Sequence, residues 1–370
     1  MVNPYDPQNP AKPDYFGGRK SVLKVVGERL AKATLQKQSG GILIHGYRGV
    51  GKTSLINKII SLVDGNESYN KGSIIVSRRL SRSTSDTELY QMITESIRQG
   101  VEDRKNLVEK ARSSIGSAKI LDVEFKFDKG WAEQSPYFKW ISFVRNVSNI
   151  DFILIAIDDA DYLTPEALGE LKTIVESPNN TPVILCVSGG VEFEERLVAD
   201  YSPIARVFSG ASFNIGEFTL EETKEVLTKP LAGTETNWEE EGIIELQNLS
   251  KGYPYLVQCI ASASYLDHDT ITAERVRSKL AAALEIGKPW LSHELEDDSD
   301  MDIVSFLKII KIDKPVLKSI EMQNAGVSPP YIGRLVKLKV INKISRGRYS
   351  VQKPPIVAYY HRLKRNIDFN

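Results

Sequence analysis

The chain has 370 residues, 41% hydrophobic and 26% charged, with 48 Lys+Arg balanced by 48 Asp+Glu. That length predicts two or three domains with sizeable cores, and no apolar run approaches the ~18 residues of a membrane span. Only two cysteines, Cys186 and Cys259, and four scattered histidines occur. This argues against a disulfide framework or a Cys/His metal site and fits a reducing cytoplasm. Met1 to Asp6 has neither the basic region nor the apolar core of a signal peptide. The net charge of zero is unevenly spread. Residues 301–370 hold 14 Lys+Arg against 4 Asp+Glu, a surplus of 10, so the remainder carries a deficit of 10. Such a split predicts a nucleic-acid-binding tail on a neutral-to-acidic body, with no membrane partner.

Residues 1–20 are rich in Pro, Asn, Asp and Gly and end in Tyr15-Phe16-Gly17-Gly18-Arg19, which predicts an extended path. A helix over about Ser21 to Gln36 follows. Ile42 to Ile44 then reads as a buried strand, and Ser54 to Leu62 as a helix. Between them lies Gly46-Tyr47-Arg48-Gly49-Val50-Gly51-Lys52-Thr53. Strand, loop and helix supply the context that the pattern GxxxxGK[ST] needs to hold phosphate. Its glycines let several backbone N–H groups point inward, and the helix N-terminus adds partial positive charge. The run Gly46 to Ser54 is therefore expected to hold a nucleoside triphosphate. Lys52 reaches the β- and γ-phosphates and the Thr53 hydroxyl ligates Mg²⁺. The arm ahead of this loop is placed to bring an apolar side chain, Phe16, beside adenine.

Ser73 to Ser77 reads as a second strand, Thr84 to Arg98 as a helix with Ser85/Asp86 at its cap, and 101–116 as a further helical stretch. Ile120 to Phe127 alternates apolar and charged residues, the pattern of a half-exposed strand in a hairpin ending at Asp128-Lys129-Gly130. A helix over about Gln134 to Val147 precedes Phe152-Ile153-Leu154-Ile155-Ala156-Ile157-Asp158-Asp159. Six apolar residues predict a strand buried on both faces. Two carboxylates at its C-terminal end are costly to desolvate without a cation, and ligands bind at that end of open α/β sheets. Asp158 is expected to hold Mg²⁺ and Asp159 to orient the attacking water; the alternative is an Asp-Asp turn before a helix at Thr164. Pro182 to Gly190 is another buried strand. Ser188 at its end is either within reach of the γ-phosphate or a plain turn serine. Arg206, ahead of a last strand near Phe213 to Ile215, is either a donor to transition-state charge or a surface ion-pair residue.

From Thr219 the pattern is helical, with segments at Leu220–Lys229, Trp238–Leu249, Tyr255–Leu266 and Thr272–Glu285. Pro254 sits near a helix start in Gly252-Tyr253-Pro254-Tyr255. Glu294 to Asp300 is acidic and marks a boundary. Beyond it, helices are expected at Ile303–Ile310, Lys314–Glu321 and from Ser328, where Ser328 caps the third. In that third helix Ile332, Leu335, Val336 and Leu338 face a core, and Tyr331, Arg334 and Lys337 point outward. Ile341–Ser345 and Arg348–Val351 flank a hairpin tip at Arg346-Gly347. Three helices and a hairpin predict a winged helix. Its helix suits a major groove and its hairpin arginines, Arg346 and Arg348, a minor groove.

The ordered set of Phe16-Gly17-Gly18-Arg19, the phosphate loop, Asp158-Asp159, Ser188, Arg206 and Gly252-Tyr253-Pro254 resembles the AAA+/STAND branch of P-loop ATPases. It is similar to archaeal and origin-recognition-like ATPases with a C-terminal winged helix. The resemblance implies an α/β P-loop NTPase core with a parallel sheet in the order 5-1-4-3-2, followed by a helical lid and a winged-helix domain. It implies slow ATP hydrolysis with Mg²⁺. The expected domains are 1–217 for the core and adenine-side arm, 218–290 for the lid, 291–300 for an acidic linker and 301–370 for the winged helix. Lys52 and Thr53 correspond to the Walker A pair, Asp158 to the Walker B acid, Ser188 to sensor-1 and Arg206 to the arginine finger. Pro254 matches the lid proline of STAND proteins. Asp159 replaces the usual glutamate, and Ser188 the usual asparagine. Double-stranded DNA is the expected partner, with a homo-oligomer or a nucleotide-dependent protein partner beside it. A STAND-type signalling switch, whose winged helix docks protein, is the alternative.

Overall fold

The most apolar segments of the N-terminal half become the middle of one sheet. The computed structural model describes residues 3–65, 73–114, 135–146, 150–176, 181–197, 204, 206–295, 298–312, 314 and 316–368. They fall into two compact units, Arg19–Gly216, and Met1–Gly18 with Glu217–Asn370.

In the first unit, strands β1 (Gly40–His45), β3 (Phe152–Asp158) and β4 (Val183–Gly189) are buried along their whole length. Strands apolar on both faces need cover on both faces, which is why they lie inside a parallel sheet. With β2 (Ser73–Arg79) and β5 (Ser212–Asn214) they form a five-stranded sheet in the order β2-β3-β4-β1-β5. This is the expected order read from the other edge, and every pairing is parallel. Helices α1 (Lys20–Gln36), α2 (Lys52–Asp64), α3 (Asp86–Ser114), α4 (Pro136–Asn146) and α5 (Pro165–Glu176) complete the unit. In α2 the apolar residues Leu55, Ile56, Ile59 and Val63 are buried, at the spacing of one helix face. Ser85 starts α3 with a reciprocal cap: its hydroxyl accepts from the Glu88 N–H at 3.3 Å, and Glu88 accepts from the Ser85 N–H at 3.0 Å.

The second unit begins with α6 (Leu220–Thr228), α7 (Glu240–Ser250), α8 (Pro254–Ser264), α9 (Ala273–Ser278) and α10 (Leu280–Leu291). A two-residue parallel pair, β6 (Asn237–Trp238) and β7 (Thr270–Ile271), ties the ends of two connections together. Gly252 has φ +73, and a Cβ there would lie 2.1 Å from the Phe218 carbonyl oxygen, so no side chain fits. Then come α11 (Asp300–Ile310), β8 (Leu317–Lys318), α12 (Ser319–Asn324), α13 (Pro329–Lys337), β9 (Ile341–Ser345), β10 (Arg348–Val351) and α14 (Pro355–Lys364). The three strands form an antiparallel sheet in the order β8-β10-β9. Cys186 and Cys259 are buried free thiols, pushed up to about 12 by burial.

The units divide differently from the expected domains at the N-terminus. Residues 1–18 group with 217–370 because buried Tyr5 anchors the arm there. Its hydroxyl donates to the Leu227 carbonyl at 2.5 Å and accepts from Trp238 Nε1 at 2.8 Å. Asn3 Nδ2 donates to the Ser262 carbonyl at 2.9 Å. The stretch 291–300, expected as a linker, is clamped where it is described. Lys353 bonds Glu294, and Arg365 donates to the Leu295 carbonyl at 3.2 Å and the Asp298 carbonyl at 2.5 Å.

Other boundaries also differ. The helix from Asp86 runs unbroken to Ser114 through Gly100, since one glycine costs a helix only about 1 kcal/mol. The helix expected over Thr272–Glu285 is split at Lys279, where the Ser278 hydroxyl bonds back to the Arg275 carbonyl at 2.8 Å and competes with the helical ladder. In Lys314–Glu321, Leu317 and Lys318 pair with β10 and bury Leu317, so only Ser319 onward is helical. Val336 and Leu338 are half-buried, whereas Ile332 and Leu335 are core. The hairpin expected at 120–130 lies outside the described residues.

Tyr5→Phe removes the hydroxyl that both Leu227 and Trp238 use. It is expected to destabilise the second unit by about 1–3 kcal/mol, measured by urea unfolding followed through tryptophan fluorescence. An unchanged midpoint would show that the arm does not depend on this contact.

Candidate nucleotide site

Strand β1 delivers the chain to Gly46, whose φ is +152 and whose Cβ, if present, would sit 2.3 Å from the Ile215 carbonyl oxygen. Only glycine fits, because the loop must turn against the exit of β5. The loop ends at Gly51, the N-cap of α2, so the helix starts at Lys52 and Thr53. A helix start has N–H groups without intrahelical partners, so this position favours an anion. Val50 is buried, Ser54 half-buried, and Tyr47 and Arg48 are exposed.

The parallel register puts the ends of β2, β3 and β4 side by side, with Arg79 opposite Asp158 and Ile157 opposite Val187. Asp158 is only 4% exposed. One of its carboxylate oxygens accepts from the Thr53 hydroxyl at 2.6 Å, and the other from Ser188 Oγ. Ser188 Oγ also accepts from the Asp159 N–H at 3.1 Å. Lys52 Nζ donates to the carbonyls of Gly46 (2.8 Å) and Tyr47 (3.0 Å). Burial pushes this ammonium below the usual lysine range, opposed by Asp159, Asp161 and Asp158. Lysine, threonine and both aspartates thus converge on one place, as the sequence leads one to expect.

These donors fit the groups the pattern implies. A hydroxyl and a carboxylate oxygen 2.6 Å apart are hard ligands of the kind Mg²⁺ takes. A partly desolvated ammonium whose direct acceptors are uncharged carbonyls gains from a phosphate anion.

Asp159 adopts left-handed backbone angles, φ 57 and ψ 46, a conformation that costs a non-glycine residue roughly 1–2 kcal/mol. It accepts from Arg79 Nε at 2.8 Å, and the same guanidinium lies 3.7 Å from Asp158. The Asp159 carboxylate raises the arginine above its usual range. The sequence reading assigned Arg79 nothing. Its available signal was the position of Arg78-Arg79 at the C-terminal end of a strand. Arg19 was also missed as a support: buried, it bonds the Gly216 carbonyl and reaches the Val50 carbonyl at 3.5 Å. Behind the loop, His45 Nε2 is 3.1 Å from Glu194.

Arg206 does not join this cluster. It is exposed in a turn before β5, and the next residue, Val207, accepts from the Gly41 N–H at 2.9 Å, at the start of β1. The phosphate loop lies at the other end of that strand, about 13 Å away at ~3.3 Å per residue. Phe16 and Pro254 belong to the second unit. Phe16 is buried and its carbonyl accepts from Lys229 Nζ at 2.6 Å, while Pro254 is buried in the first turn of α8. In the basic tail, Lys337, Arg346 and Arg348 are exposed and Tyr331 half-buried. Arg334 is half exposed, and its Nε donates at 2.8 Å to the fully buried carboxylate of Asp302.

A family model described as AAA domain matches residues 35–197. Within those residues this chain is similar to an AAA domain. The stretch runs from the end of α1 to the turn beyond Ser188, so it contains Lys52, Thr53, Asp158, Asp159 and Arg79. A search of curated proteins finds no match. Among solved structures, the ORC2 protein of Aeropyrum pernix in its ADPNP–ADP complexes is similar at 13% identity, over 94% of this chain and 95% of that one, with a TM-score of 0.53. Cdc6p of Pyrobaculum aerophilum is similar at 11% identity, over 98% and 96%, with a TM-score of 0.51. At such identities the likeness is one of fold. Among the described residues no helix is long and apolar enough to cross a membrane.

Arg79 occupies the Asp159 carboxylate, the group expected from the sequence to orient water. Arg79→Ala is expected to raise the ATPase rate at saturating ATP several-fold with little change in nucleotide affinity. A rate that falls to background would show that the arginine is needed for turnover.

Proposed function

We propose that this AAA domain binds ATP with Mg²⁺, hydrolyses it slowly, and uses the nucleotide state to control a basic C-terminal winged helix on duplex DNA. The observation that carries the nucleotide half is the Thr53–Asp158 hydrogen bond of 2.6 Å. It brings the loop and the acid-tipped strand within reach of a single metal ion. Thr53 and Asp158 would hold Mg²⁺, which would neutralise phosphate charge when bound. Lys52 would exchange the Gly46 and Tyr47 carbonyls for phosphate, and Ser188 keeps Asp158 oriented and would sit near the γ-phosphate. Asp159, released from Arg79, orients the attacking water. Its carboxylate is one methylene shorter than a glutamate, which favours slow turnover. Phe16 and Pro254 keep the adenine-side role that the resemblance implies for them.

The position of Arg206 at the far end of β1 supports a donor role at the site of a neighbouring copy in a homo-oligomer, the alternative being a surface ion-pair residue. For DNA, the support is the surplus of 10 positive charges in residues 301–370, together with exposed Lys337, Arg346 and Arg348. Tyr331 and Arg334 lie on the same helix, and Arg334 keeps its terminal N–H groups for phosphate while Asp302 fixes its Nε.

Lys52→Ala is expected to abolish ATP binding, and Asp159→Ala to keep binding while losing hydrolysis, both measured by titration calorimetry and phosphate release. Normal turnover in Asp159→Ala would place the base elsewhere. On the full chain, Lys337→Ala/Arg346→Ala/Arg348→Ala is expected to weaken duplex binding in anisotropy and to reduce the slope of log affinity against log salt by about 2–3. Unchanged binding would reject the DNA reading. A pulldown that recovers a protein but retains no DNA at low salt would select the STAND-type docking role instead.

A further inference from the structure

The loops that leave β3 and β4 hold each other by bonds that the roles above do not use. After Asp158 and Asp159 the chain makes a tight turn at Ala160–Tyr162. From that turn Asp161 reaches sideways, and its carboxylate accepts from the Gly190 N–H at 2.7 Å. Gly190 lies two residues beyond Ser188. In the opposite direction, Arg196, in a short helical turn at 193–197, donates to the Asp161 carbonyl at 3.1 Å and to the Leu163 carbonyl at 3.0 Å. Each loop thus supplies a charged side chain to the other's backbone. The helical turn that carries Arg196 is itself tied down: Glu194 accepts from Ser212 Oγ at 2.5 Å and lies 3.1 Å from His45 Nε2.

We propose that Asp161 and Arg196 form a reciprocal clasp whose task is to hold Ser188 in register with Asp158 and Asp159, so that both are positioning residues for hydrolysis. Ser188 can bond Asp158 and the Asp159 N–H together only if the β4 loop stays fixed against the β3 turn. The direct pairing of β3 with β4 ends at Ile157 and Val187, one residue before these side chains, while β1 still pairs with Ser188 and β2 with Asp158. Beyond that point no backbone bond among the described residues joins β3 to β4 directly, and the clasp is the direct tie between their ends. Side-chain hydrogen bonds to backbone groups are strong enough for this. Asp161 also lies close enough to Lys52 to act on its charge, so movement of this turn is felt in the phosphate hollow.

The inference rests on the ATPase reading of the site, and its test separates the two. Asp161→Asn keeps an acceptor oxygen for the Gly190 N–H and removes the charge, while Asp161→Ala removes both. The clasp predicts that kcat falls about tenfold in Asp161→Ala and Arg196→Ala. The affinity for fluorescent ATP should stay within about twofold, and Asp161→Asn should remain near the wild-type rate. The double variant should be no slower than either single one. Hydrogen exchange over residues 186–197 gives a readout that needs no turnover. Exchange in this peptide should speed up in Asp161→Ala and be restored in Asp161→Asn. If Asp161→Asn is as impaired as Asp161→Ala, or the double variant is additive, the clasp is overturned. Unchanged exchange in Asp161→Ala overturns it whether or not the protein hydrolyses ATP. Absence of ATPase activity in the wild type, with exchange behaving as predicted, overturns the ATPase reading alone.

Discussion

A hydrogen bond of 2.6 Å between the Thr53 hydroxyl and the Asp158 carboxylate joins two segments 105 residues apart in the chain. Asp158 is the buried charge at the tip of an otherwise apolar strand, and a buried carboxylate is tolerated only when its oxygens find donors or a cation. Thr53 supplies one donor and Ser188 the other. The rest of the first unit can be read as the means of bringing these three side chains together. Three strands buried on both faces fix their lateral order, and a glycine pressed against β5 turns the chain out of β1. The first turn of α2 then presents lysine and threonine toward the acid.

The same logic explains why the neighbouring charges are arranged as they are. Asp158, Asp159 and Asp161 all act on Lys52, whose burial alone would favour the neutral amine. Arg79 balances the acids from the β2 side by binding Asp159 directly. The site is therefore a cluster of opposed charges with an ammonium at its centre. The second unit follows a different principle. Its N-terminal arm is fastened by one buried tyrosine, and the stretch before α11 is fastened by Lys353 and Arg365. Charged side chains there close backbone groups that no strand or helix satisfies.

Local chemistry was legible in the sequence, and lateral chemistry was not. Gly46 to Thr53 could be read because the loop's backbone geometry demands particular residues at fixed spacing. Asp158 could be read because six apolar residues end abruptly in carboxylates. The hairpin strands Ile341–Ser345 and Arg348–Val351 were read with their observed bounds, since alternation and a glycine tip are local signals. Arg79, by contrast, matters only because β2 pairs with β3 in one register, which no stretch of sequence announces. The Arg334 to Asp302 pair is hidden for the same reason: a helix-face arginine reads as outward-pointing until the start of α11 is placed against it. The helix end read at Arg98 was also misplaced, since the helix continues to Ser114.

The central claim is that loop and strand share one metal-bound triphosphate, and the most direct test is the Mg²⁺ dependence of ATP affinity. Calorimetry with Mg²⁺ and with a chelator should show that the wild type binds ATP much more tightly with the metal. Thr53→Val and Asp158→Asn should each lose most of that difference. If both variants keep the full metal dependence of the wild type, the hydroxyl and the carboxylate do not hold the ion and the account fails.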